Sequence, residues 1–365
     1  MIALISLLIW IYLVLAHGRF WSSGPELAPA VAAADCPDVD VIVPARDEVQ
    51  TIGPVIASLV AQDYAGRFRV TLVDDNSTDG TAAAAGSSPR LRILQGQPKP
   101  PGWSGKLWAM AQGVAASEAP VLLFTDADIV HDPRHLATLV ARLDQPRVEM
   151  VSEMVHLNCA SIAERALVPA FVYFFQMLYP FRQVNDPHSS VAAAAGGTVL
   201  VRREALERIG GIESIKGALI DDVTLAKSIK RVGPIYLGHS GLASSIRPYP
   251  HLGDLWRMIS RTAFTQLRYS LTLLLLTLLG LTLVWLVPVW EILFGTGWSF
   301  GFAVAAFAIA AASYIPTLRR YRQLPAWSFA LPLIALFYMA ATLGSAISHW
   351  AGSGARWKDR AYGAE

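Results

Sequence analysis

Three long apolar segments near the C-terminal end constrain this chain more than any other feature of its sequence. They comprise residues 271–294, 298–315 and 327–347, and each is close to the length that crosses a bilayer. Of all 365 residues, 53% are hydrophobic and only 16% are charged, which is too apolar for an ordinary soluble enzyme. We therefore expect a membrane protein.

The first 16 residues are also nearly all apolar, and no basic residue precedes them, whereas Arg19 follows. A cleaved signal peptide normally begins with a basic region, so the pattern favours an uncleaved anchor over residues 1–21. This orientation places the N-terminus outside and the next domain in the cytoplasm. The Pro-, Ala- and Gly-rich stretch 22–37 is typical of a linker.

Basic residues give the orientation of the C-terminal segments, 271–350. The arginines between the second and third segments should lie inside: Arg319, Arg320 and Arg322. A third full crossing would place Arg356, Lys358 and Arg360 of the tail, 351–365, outside. Either the tail tolerates this, or one segment is re-entrant or interfacial. Just before these segments, residues 251–270 mix aromatic and arginine side chains, as an interfacial amphipathic helix would.

Between the apolar ends, residues 38–250 have the pattern of an α/β domain. Strands are predicted at 39–43, 69–73 and 121–124, and helices at 52–62 and 104–116. This alternation predicts a parallel sheet whose ligands bind at the carboxyl ends of the strands, where each acidic or polar cluster falls. The aromatic stretch 171–181 is either a core helix or a membrane-facing, lipid-acceptor surface.

The third predicted strand runs into two carboxylates, Asp126 and Asp128. Alternate residues of an extended chain share a face, so the two side chains can point the same way and repel each other unless a cation intervenes. Mg²⁺ and Mn²⁺ favour such oxygen ligands, often with substrate phosphates completing the shell. The alternative is an Asp-rich turn with a helix cap.

Four further clusters carry polar chemistry. Asp75 follows the second strand and could accept a hydrogen bond from a base or ribose, whereas Ser77 and Asp79 suit a turn and a helix cap. Lys106, near a predicted helix start, could meet a phosphate or be a solvated loop lysine. The other two are Pro44 to Glu48 and, with Gly196-Gly197 upstream, Asp221-Asp222.

Asp221 and Asp222 stand at a predicted helix start, where acids are commonly caps, although one could be a general base. The remaining titratable candidates are expected in the core or at interfaces rather than as ligands: Glu153, His156, His239 and His251. The net charge of +2, without a basic cluster interleaved with aromatics, predicts no nucleic-acid partner. Two cysteines without metal-like spacing fit a reduced compartment.

In this order the clusters resemble glycosyltransferase family 2. The segments are Pro44-Ala-Arg-Asp-Glu48, Val73-Asp-Asp-Asn-Ser77, Thr125-Asp-Ala-Asp128, Gly196-Gly197 and Asp221-Asp222. More narrowly, Pro101-Gly-Trp-Ser-Gly-Lys106 and the flanking apolar segments are similar to the hopanoid-biosynthesis-associated glycosyltransferases. The resemblance implies an α/β fold class: a GT-A, Rossmann-like, nucleotide-sugar-binding domain with flanking transmembrane helices.

The resemblance also implies a nucleotide-diphosphate sugar donor and residue roles. Ala45 and Glu48 would line the nucleotide site, Asp75 would contact the base, and Lys106 would lie near the nucleotide or phosphates. Asp126 and Asp128 would form the DxD motif that binds Mn²⁺ or Mg²⁺ and the donor diphosphate. Asp222 would be the catalytic base, and the possible acceptor or accessory residues are Gly197, Asp221 and Arg268.

The sequence departs from the family pattern in three places. Asp221 replaces the usual Glu, and Asp47 stands where Asn is more common. Residues 265–269 are only a degraded form of the Gln-x-x-Arg-Trp motif of processive synthases, which puts polymerisation in doubt.

The expected protein is a multi-pass enzyme of a bacterial-type inner membrane. Its catalytic domain would face the cytoplasm and glycosylate a lipid acceptor, possibly a hopanoid, with inversion. A polyprenyl-phosphate glycosyltransferase and a polysaccharide synthase are alternatives, as is a catalytically silent nucleotide-sugar-binding scaffold. The sequence leaves the sugar, base, acceptor, metal and oligomeric state open.

Overall fold

The computed structural model describes residues 1–30, 36–144, 148–352, 356–357 and 360–361. The chain divides into two compact units. The α/β unit comprises Pro25–Asn158, Gln183–Arg247 and Arg356–Glu365, and the helical unit comprises Met1–Gly24, Cys159–Arg182 and Pro248–Ala355. The helical unit thus includes Cys159–Arg182, which lies inside the range predicted for the catalytic domain.

The helices of the described residues are numbered in chain order. They are α1 (Ile2–Ala16), α2 (Ile52–Val60), α3 (Thr81–Ala84), α4 (Gly105–Ala115), α5 (His135–Asp144), α6 (Ile162–Leu178), α7 (Phe181–Asn185), α8 (Arg203–Arg208), α9 (Asp221–Lys230), α10 (Leu252–Ser260), α11 (Ala263–Gln266), α12 (Leu271–Leu281), α13 (Val287–Phe294), α14 (Gly297–Arg320) and α15 (Leu331–Trp350). Three 3₁₀ turns, Phe20–Ser22, Ile212–Ile215 and Pro325–Ala330, and one π-helical stretch, Thr282–Leu286, complete the helical elements of the described chain.

Within the described residues, one mixed sheet of eight strands organises the α/β unit. Its strands are β1 (Val39–Ala45), β2 (Phe68–Asp74), β3 (Leu91–Gln95), β4 (Val121–Thr125), β5 (Ile129–His131), β6 (Met150–His156), β7 (Thr198–Arg202) and β8 (Ile235–Ser245). Their order across the sheet is β3-β2-β1-β4-β7-β6-β8-β5. β1 pairs in parallel with β2 and with β4, whereas β7 is antiparallel to both β4 and β6. Near the C-terminus, Arg356–Trp357 and Arg360–Ala361 form a separate antiparallel pair, β9 and β10.

The centre of this sheet is the core of the unit. All seven residues of β1 are buried, as are all five of β4, because helices cover both faces of a parallel sheet. Leu59 of α2 and Leu139 of α5 are fully buried in the same apolar cluster. The predicted α/β fold class is therefore confirmed, and the predicted strands are each one or two residues longer in the structure.

Among its described residues, the helical unit contains three helices long and apolar enough to cross a membrane. They are Leu271–Phe294, Gly297–Arg320 and Pro325–Trp350, and each extends or equals a predicted segment. Large apolar side chains on them are exposed, including Leu275 at 58%, Trp298 at 83% and Leu333 at 72%. Such exposure in water would be costly, so these surfaces indicate association with lipid. The apolar helix α1 is shorter, with 15 residues.

The aromatic stretch predicted at 171–181 packs inside the helical unit. Tyr173 of α6 is fully buried, and its hydroxyl lies 2.6 Å from Ser313 Oγ of α14. Tyr338 of α15 donates a hydrogen bond to the carbonyl of Leu167, at 2.9 Å. Leu178, at the end of α6, is 58% exposed. Tyr173 therefore lies in a core, as one of the two interpretations predicted, whereas Leu178 at the end of α6 is exposed.

The stretch predicted as one interfacial helix, 251–270, is two short helices, α10 and α11. α10 begins with a capping box in which the Asp254 carboxylate accepts from the His251 amide at 3.0 Å. Trp256 packs edge-on against Phe337 of α15, with ring centroids 5.7 Å apart. Lys358 and the side chains of Arg356 and Arg360, on which the third crossing was argued, lie outside the described residues.

Candidate active site

The carboxyl ends of β1, β2 and β4 lie side by side, because the three strands are parallel neighbours. Ala45, Asp74 and Thr125 are the last residues of these strands, so the polar residues that follow each one gather at a single edge. This is the edge where ligands were predicted to bind.

The loops after β1 and β2 are tied to each other. The Asp75 amide donates to the Ala45 carbonyl at 2.8 Å, and the Asp75 side chain is fully buried beside Arg46. The Glu48 amide donates to Thr81 Oγ1 at 2.8 Å. The predicted turn residue Asp79 accepts from the amide of Val49 at 3.0 Å and also bonds Thr81. These contacts hold Ala45, Glu48 and Asp75 together at the predicted nucleotide side.

Asp47 adopts a left-handed backbone conformation in this loop, with φ of 50°. Asn and Asp tolerate that region better than other non-glycine residues, so either suits this position sterically. The Asp47 carboxylate accepts from the Thr78 amide at 2.8 Å. Here, the departure from the family's Asn therefore leaves the loop structurally intact.

Lys106 joins two of the predicted acidic groups. Its Nζ lies 2.9 Å from Asp126 Oδ1 and 3.0 Å from Asp221 Oδ2. Ser104 caps α4 and its amide bonds the Lys216 carbonyl, which fixes where the helix begins and hence where Lys106 points. Burial opposes the charge on Lys106, but the carboxylates of Asp126 and Asp221 outweigh it and raise its pKa well above the usual value.

Asp128 pairs with a different cation, Arg247, which was not among the predicted site residues. Arg247 Nε lies 2.5 Å from Asp128 Oδ2, and its Nη2 donates to both carboxylate oxygens of Glu48 at 2.6 and 2.8 Å. The sequence signal was weak, because Arg247 is a single basic residue more than a hundred positions from Asp128. Only the sheet brings the end of β8 to this turn, where the Ile246 amide bonds the Asp128 carbonyl at 2.8 Å.

The prediction that Asp126 and Asp128 share one face as alternate residues of a strand is wrong. β4 ends at Thr125, and Ala127 and Asp128 form a turn, so the two acids are not alternate residues of one strand. The turn directs Asp126 to Lys106 and Asp128 to Arg247. Both carboxylates remain at the same strand edge, although a turn rather than the strand period places them there.

Asp222 stands in the first turn of α9, directly after Asp221. Its Oδ1 accepts a hydrogen bond from the Val223 amide at 2.7 Å. Loss of hydration raises the pKa of Asp222 to about 7, and the neighbouring charge of Asp221 adds to the effect, while Lys106 opposes it. A carboxyl with this pKa can exchange a proton near neutral pH, as a general base must.

Two glycines bring the acidic groups close. A Cβ on Gly196 would lie 3.1 Å from Asp222 Oδ2, so the absence of a side chain allows this approach. The Gly197 carbonyl accepts from the amide of Asp126 at 3.3 Å. Gly196 lines a small pocket whose polar lining includes Lys106, Thr125, Asp126, Asp221 and Asp222.

The remaining predicted site residue, Arg268, belongs to the helical unit. It follows α11 with a φ of 52°, and its amide donates to the Thr265 carbonyl at 2.8 Å. Its role stays a prediction, as do the roles of the other site residues.

Comparison with known proteins gives a family match. The model described as Glycosyl transferase family 2 matches residues 40–210, which end before Asp222. An N-acetylglucosaminyltransferase of Bradyrhizobium sp. (strain ANU 289) is 31% identical over 108 residues, covering 28% of this chain and 68% of the relative.

Two other relatives have names that include a lipid. Beta-monoglucosyldiacylglycerol synthase of Synechocystis sp. (strain ATCC 27184 / PCC 6803 / Kazusa) is 26% identical, covering 53% of this chain and 42% of the relative. Dodecaprenyl-phosphate galacturonate synthase of Rhizobium johnstonii (strain DSM 114642 / LMG 32736 / 3841) is 26% identical, covering 31% of this chain and 35% of the relative. The chain thus spans less than half the length of these two relatives.

A solved structure has a similar fold along most of the chain. It is the mannosyltransferase PcManGT from Pyrobaculum calidifontis in complex with GDP-Man and Mn²⁺, with a TM-score of 0.56 and 21% sequence identity. The match covers 94% of this chain and 99% of that one. The likeness supports a GT-A type of fold.

Proposed function

This chain belongs to glycosyltransferase family 2, and from that premise we propose that it transfers a sugar from a nucleotide-diphosphate donor to a lipid. The observation that carries the proposal is Asp222, a carboxyl with a pKa near 7 beside a cluster of acids at the strand edge. The exposed apolar helices and the two lipid-named relatives support a lipid acceptor.

The proposed chemistry is a single displacement. Asp222 takes the proton of the acceptor hydroxyl as that oxygen forms a bond to the anomeric carbon of the sugar. The bond from this carbon to the donor diphosphate breaks on the opposite side, so the nucleoside diphosphate leaves and the configuration inverts. The backbone amides of Val223 and Gly196 donate hydrogen bonds to the Asp222 carboxylate.

The acidic edge suits a divalent cation, Mn²⁺ or Mg²⁺, held by Asp126 and Asp128. Among the described residues, no group of three or more His, Cys, Asp or Glu side chains is arranged to hold a metal. Mg²⁺ usually keeps several water ligands and takes only one or two protein carboxylates, together with substrate phosphates, so two carboxylates can suffice. A bound cation would neutralise charge on the departing diphosphate.

The other site residues would bind the donor. Ala45, Glu48 and Asp75 lie where the loops after β1 and β2 meet, and we assign them to the nucleoside. Lys106 is a cation at the start of α4 and would contact the phosphates. Gly197 and Asp221 would shape the acceptor side, and Arg268 is the proposed accessory residue of the helical unit.

The proposal includes two classes of lipid acceptor. A hopanoid is the acceptor that the motif resemblance suggests, and a polyprenyl phosphate is the alternative favoured by the dodecaprenyl-phosphate relative. The enzyme would be multi-pass in a bacterial-type inner membrane, with the α/β unit in the cytoplasm.

The test is to incubate membranes containing the protein with labelled nucleotide sugars and extracted lipids, and to identify the labelled lipid by mass spectrometry. Asp222→Asn should lower turnover by about 10²- to 10⁴-fold yet leave donor binding largely intact. Asp63→Asn, the same change at an exposed acid of the α/β unit, is the matched control.

Three results would contradict the proposal in different ways. Near-normal turnover by Asp222→Asn would exclude Asp222 as the base. Donor binding without metal-dependent release of nucleoside diphosphate would favour a silent scaffold. A ladder of product lengths would indicate a polysaccharide synthase.

A further inference from the structure

Behind the candidate site, four buried polar side chains form a continuous chain of contacts. The Glu153 carboxylate bonds His135 Nε2, and His135 Nδ1 lies 3.0 Å from His131 Nδ1. His131 Nε2 in turn lies 3.1 Å from Thr125 Oγ1. All four residues are at most 5% exposed. The sequence had placed Glu153 in the core without a role.

Local sequence does not account for this arrangement. The four residues come from different elements, namely β6, α5, β5 and β4. Burying polar groups costs free energy unless they bond one another, and apolar side chains would fill the same space without that cost. Bonded networks of this kind hold their members in one geometry, and of the buried polar atoms on these four side chains only Glu153 Oε2 has no partner among the described residues.

The hydrogen bonds have a consistent direction. The Thr125 hydroxyl donates its only hydrogen to the Gly197 carbonyl at 2.9 Å, so its oxygen can only accept from His131 Nε2. With Nε2 protonated and the ring neutral, as burial favours by lowering the pKa of His131, Nδ1 is an acceptor. The His135 Nδ1–H therefore donates to it, and His135 Nε2 bonds the Glu153 carboxyl group.

The chain ends on the carbonyl of Gly197, which receives three donors. They are Thr125 Oγ1 at 2.9 Å, Thr198 Oγ1 at 2.8 Å and the Asp126 amide at 3.3 Å. The adjacent Gly196 is the residue that Asp222 approaches. One short segment thus connects the chain to the proposed diphosphate-side acid and to the proposed base.

We propose that Glu153, His135, His131 and Thr125 are positioning residues for sugar transfer. By fixing the Gly197 carbonyl, they set the separation between Asp126 and Asp222, and hence between the donor and the attacking hydroxyl. Outer contacts of this kind typically change activity by about 10- to 100-fold when removed. The kinetic part of this inference rests on the proposed function.

Thr125→Val removes the hydroxyl while keeping the shape of the side chain, and Thr125→Ser restores it. With the full-length protein, we expect kcat of Thr125→Val to fall about 10- to 100-fold, and Thr125→Ser to stay near wild type. Thr71→Val is the matched control, because Thr71 is a threonine buried at 3% exposure in β2, another strand of the same sheet. Each kcat is expressed per folded enzyme, with the folded amount measured by size-exclusion chromatography and thermal melting.

Glu153 offers a second pair of variants. A Gln amide can donate to His135 Nε2 and keep the chain directed toward Thr125, whereas Met cannot. Glu153→Gln is therefore expected to keep kcat within a fewfold of wild type, and Glu153→Met to show the Thr125→Val loss, as about a tenfold or larger fall. An unchanged kcat per folded enzyme in both Thr125→Val and Glu153→Met would overturn the inference.

A separate measurement distinguishes failure of this inference from failure of the proposed function. ¹⁵N NMR of the histidine rings should show His131 neutral with its proton on Nε2, and the signal should shift in Thr125→Val but not in Thr71→Val. If wild-type protein transferred no sugar, the proposed function would fail. The NMR result alone would then test the proposed hydrogen-bond chain from Glu153 to Thr125. A His131 ring protonated on Nδ1 would contradict the proposed hydrogen-bond chain in either case.

Discussion

At the scale of single residues, Asp222 combines two properties that a proton acceptor needs. Its carboxyl lies at a helix start beside the polar pocket, and lost hydration with the charge of Asp221 raises its pKa to about 7. Near that pH, a base is both substantially ionised and strong enough to take a proton. Lys106 limits the rise, because its ammonium stabilises the ionised form.

The pH dependence of transfer follows from this pKa. Asp222 must be ionised to accept a proton, so kcat/KM should rise with pH through about 7 and level off above it. Asp221→Asn removes one cause of the raised pKa and should therefore move the rising limb to lower pH. Initial rates between pH 5 and 9 would measure this, with ~1 unit as the scale of a resolvable shift.

A rate that falls as pH rises through this range would contradict the assignment. So would a limb that stays in place in Asp221→Asn while the variant remains active. Asp63→Asn changes an exposed acid and serves as the control, because its pH–rate profile should have the same rising limb as that of the wild type.

At the scale of elements, the end of β8 meets the turn that follows β4. Ile246 pairs with the backbone of Asp128, and the next residue, Arg247, bridges Asp128 and Glu48. The two carboxylates raise the pKa of the Arg247 guanidinium against the effect of burial. Arg247 therefore supplies, from the protein itself, positive charge at the acidic edge where we propose a metal.

The Arg247→Met variant tests whether Arg247 neutralises the carboxylates at this edge. It would leave Glu48 and Asp128 without their cation, which we expect to lower the free energy of unfolding by about 1–3 kcal/mol. Added Mn²⁺ should stabilise this variant more than the wild type, because the metal would replace the missing charge. Thermal melts with Mn²⁺ and with EDTA would measure both effects.

Arg67→Met is the matched control, since Arg67 pairs with Asp38 at the surface and is 90% exposed. Its melting temperature should change little, with or without metal. Equal metal stabilisation of Arg247→Met and wild type would argue against a cation site that shares Asp128.

At the scale of the whole molecule, a polar α/β unit and an apolar helical unit belong to one chain. The helical unit exposes Trp298 and Leu333 on helices of spanning length, which is how side chains facing lipid behave. A lipid acceptor would be available to an enzyme held at such a surface. The basic residues near Arg319 favour placing the loop before α15 in the cytoplasm.

Membrane topology can be measured directly. We expect the protein to remain in membranes after an alkaline carbonate wash, and a phosphatase reporter active only outside the cytoplasm to be active after Gly295 and inactive after Gln323. A fusion after Gly352 then reports whether the last helix crosses. Activity after Gln323, or release by carbonate, would contradict the predicted orientation or the membrane assignment, respectively. Blue-native electrophoresis of the same samples would report the oligomeric state.

Much of this organisation was predictable from local sequence. The apolar segments and the alternation of strands with helices depend on neighbouring residues, so they predicted the three long helices and the strands β1, β2 and β4. The strands β5 to β8 were not predicted. β5 has only three residues, β6 has Ser152 and Glu153 inside its apolar run, and β7 is a five-residue strand whose apolar run is too short to be distinguished from a buried helix segment by periodicity.

The sequence by itself determined the acidic and glycine clusters, their family order and the apolar ends of the chain. Only the tertiary structure decided which groups meet. Asp128 and Arg247 are 119 positions apart, and Glu153 reaches Thr125 through two histidines on other elements. Such pairings arise from sheet order and helix packing, which depend on the whole chain. Residue type and spacing therefore predict the chemistry of a site, whereas its ion pairs and proton positions require the fold.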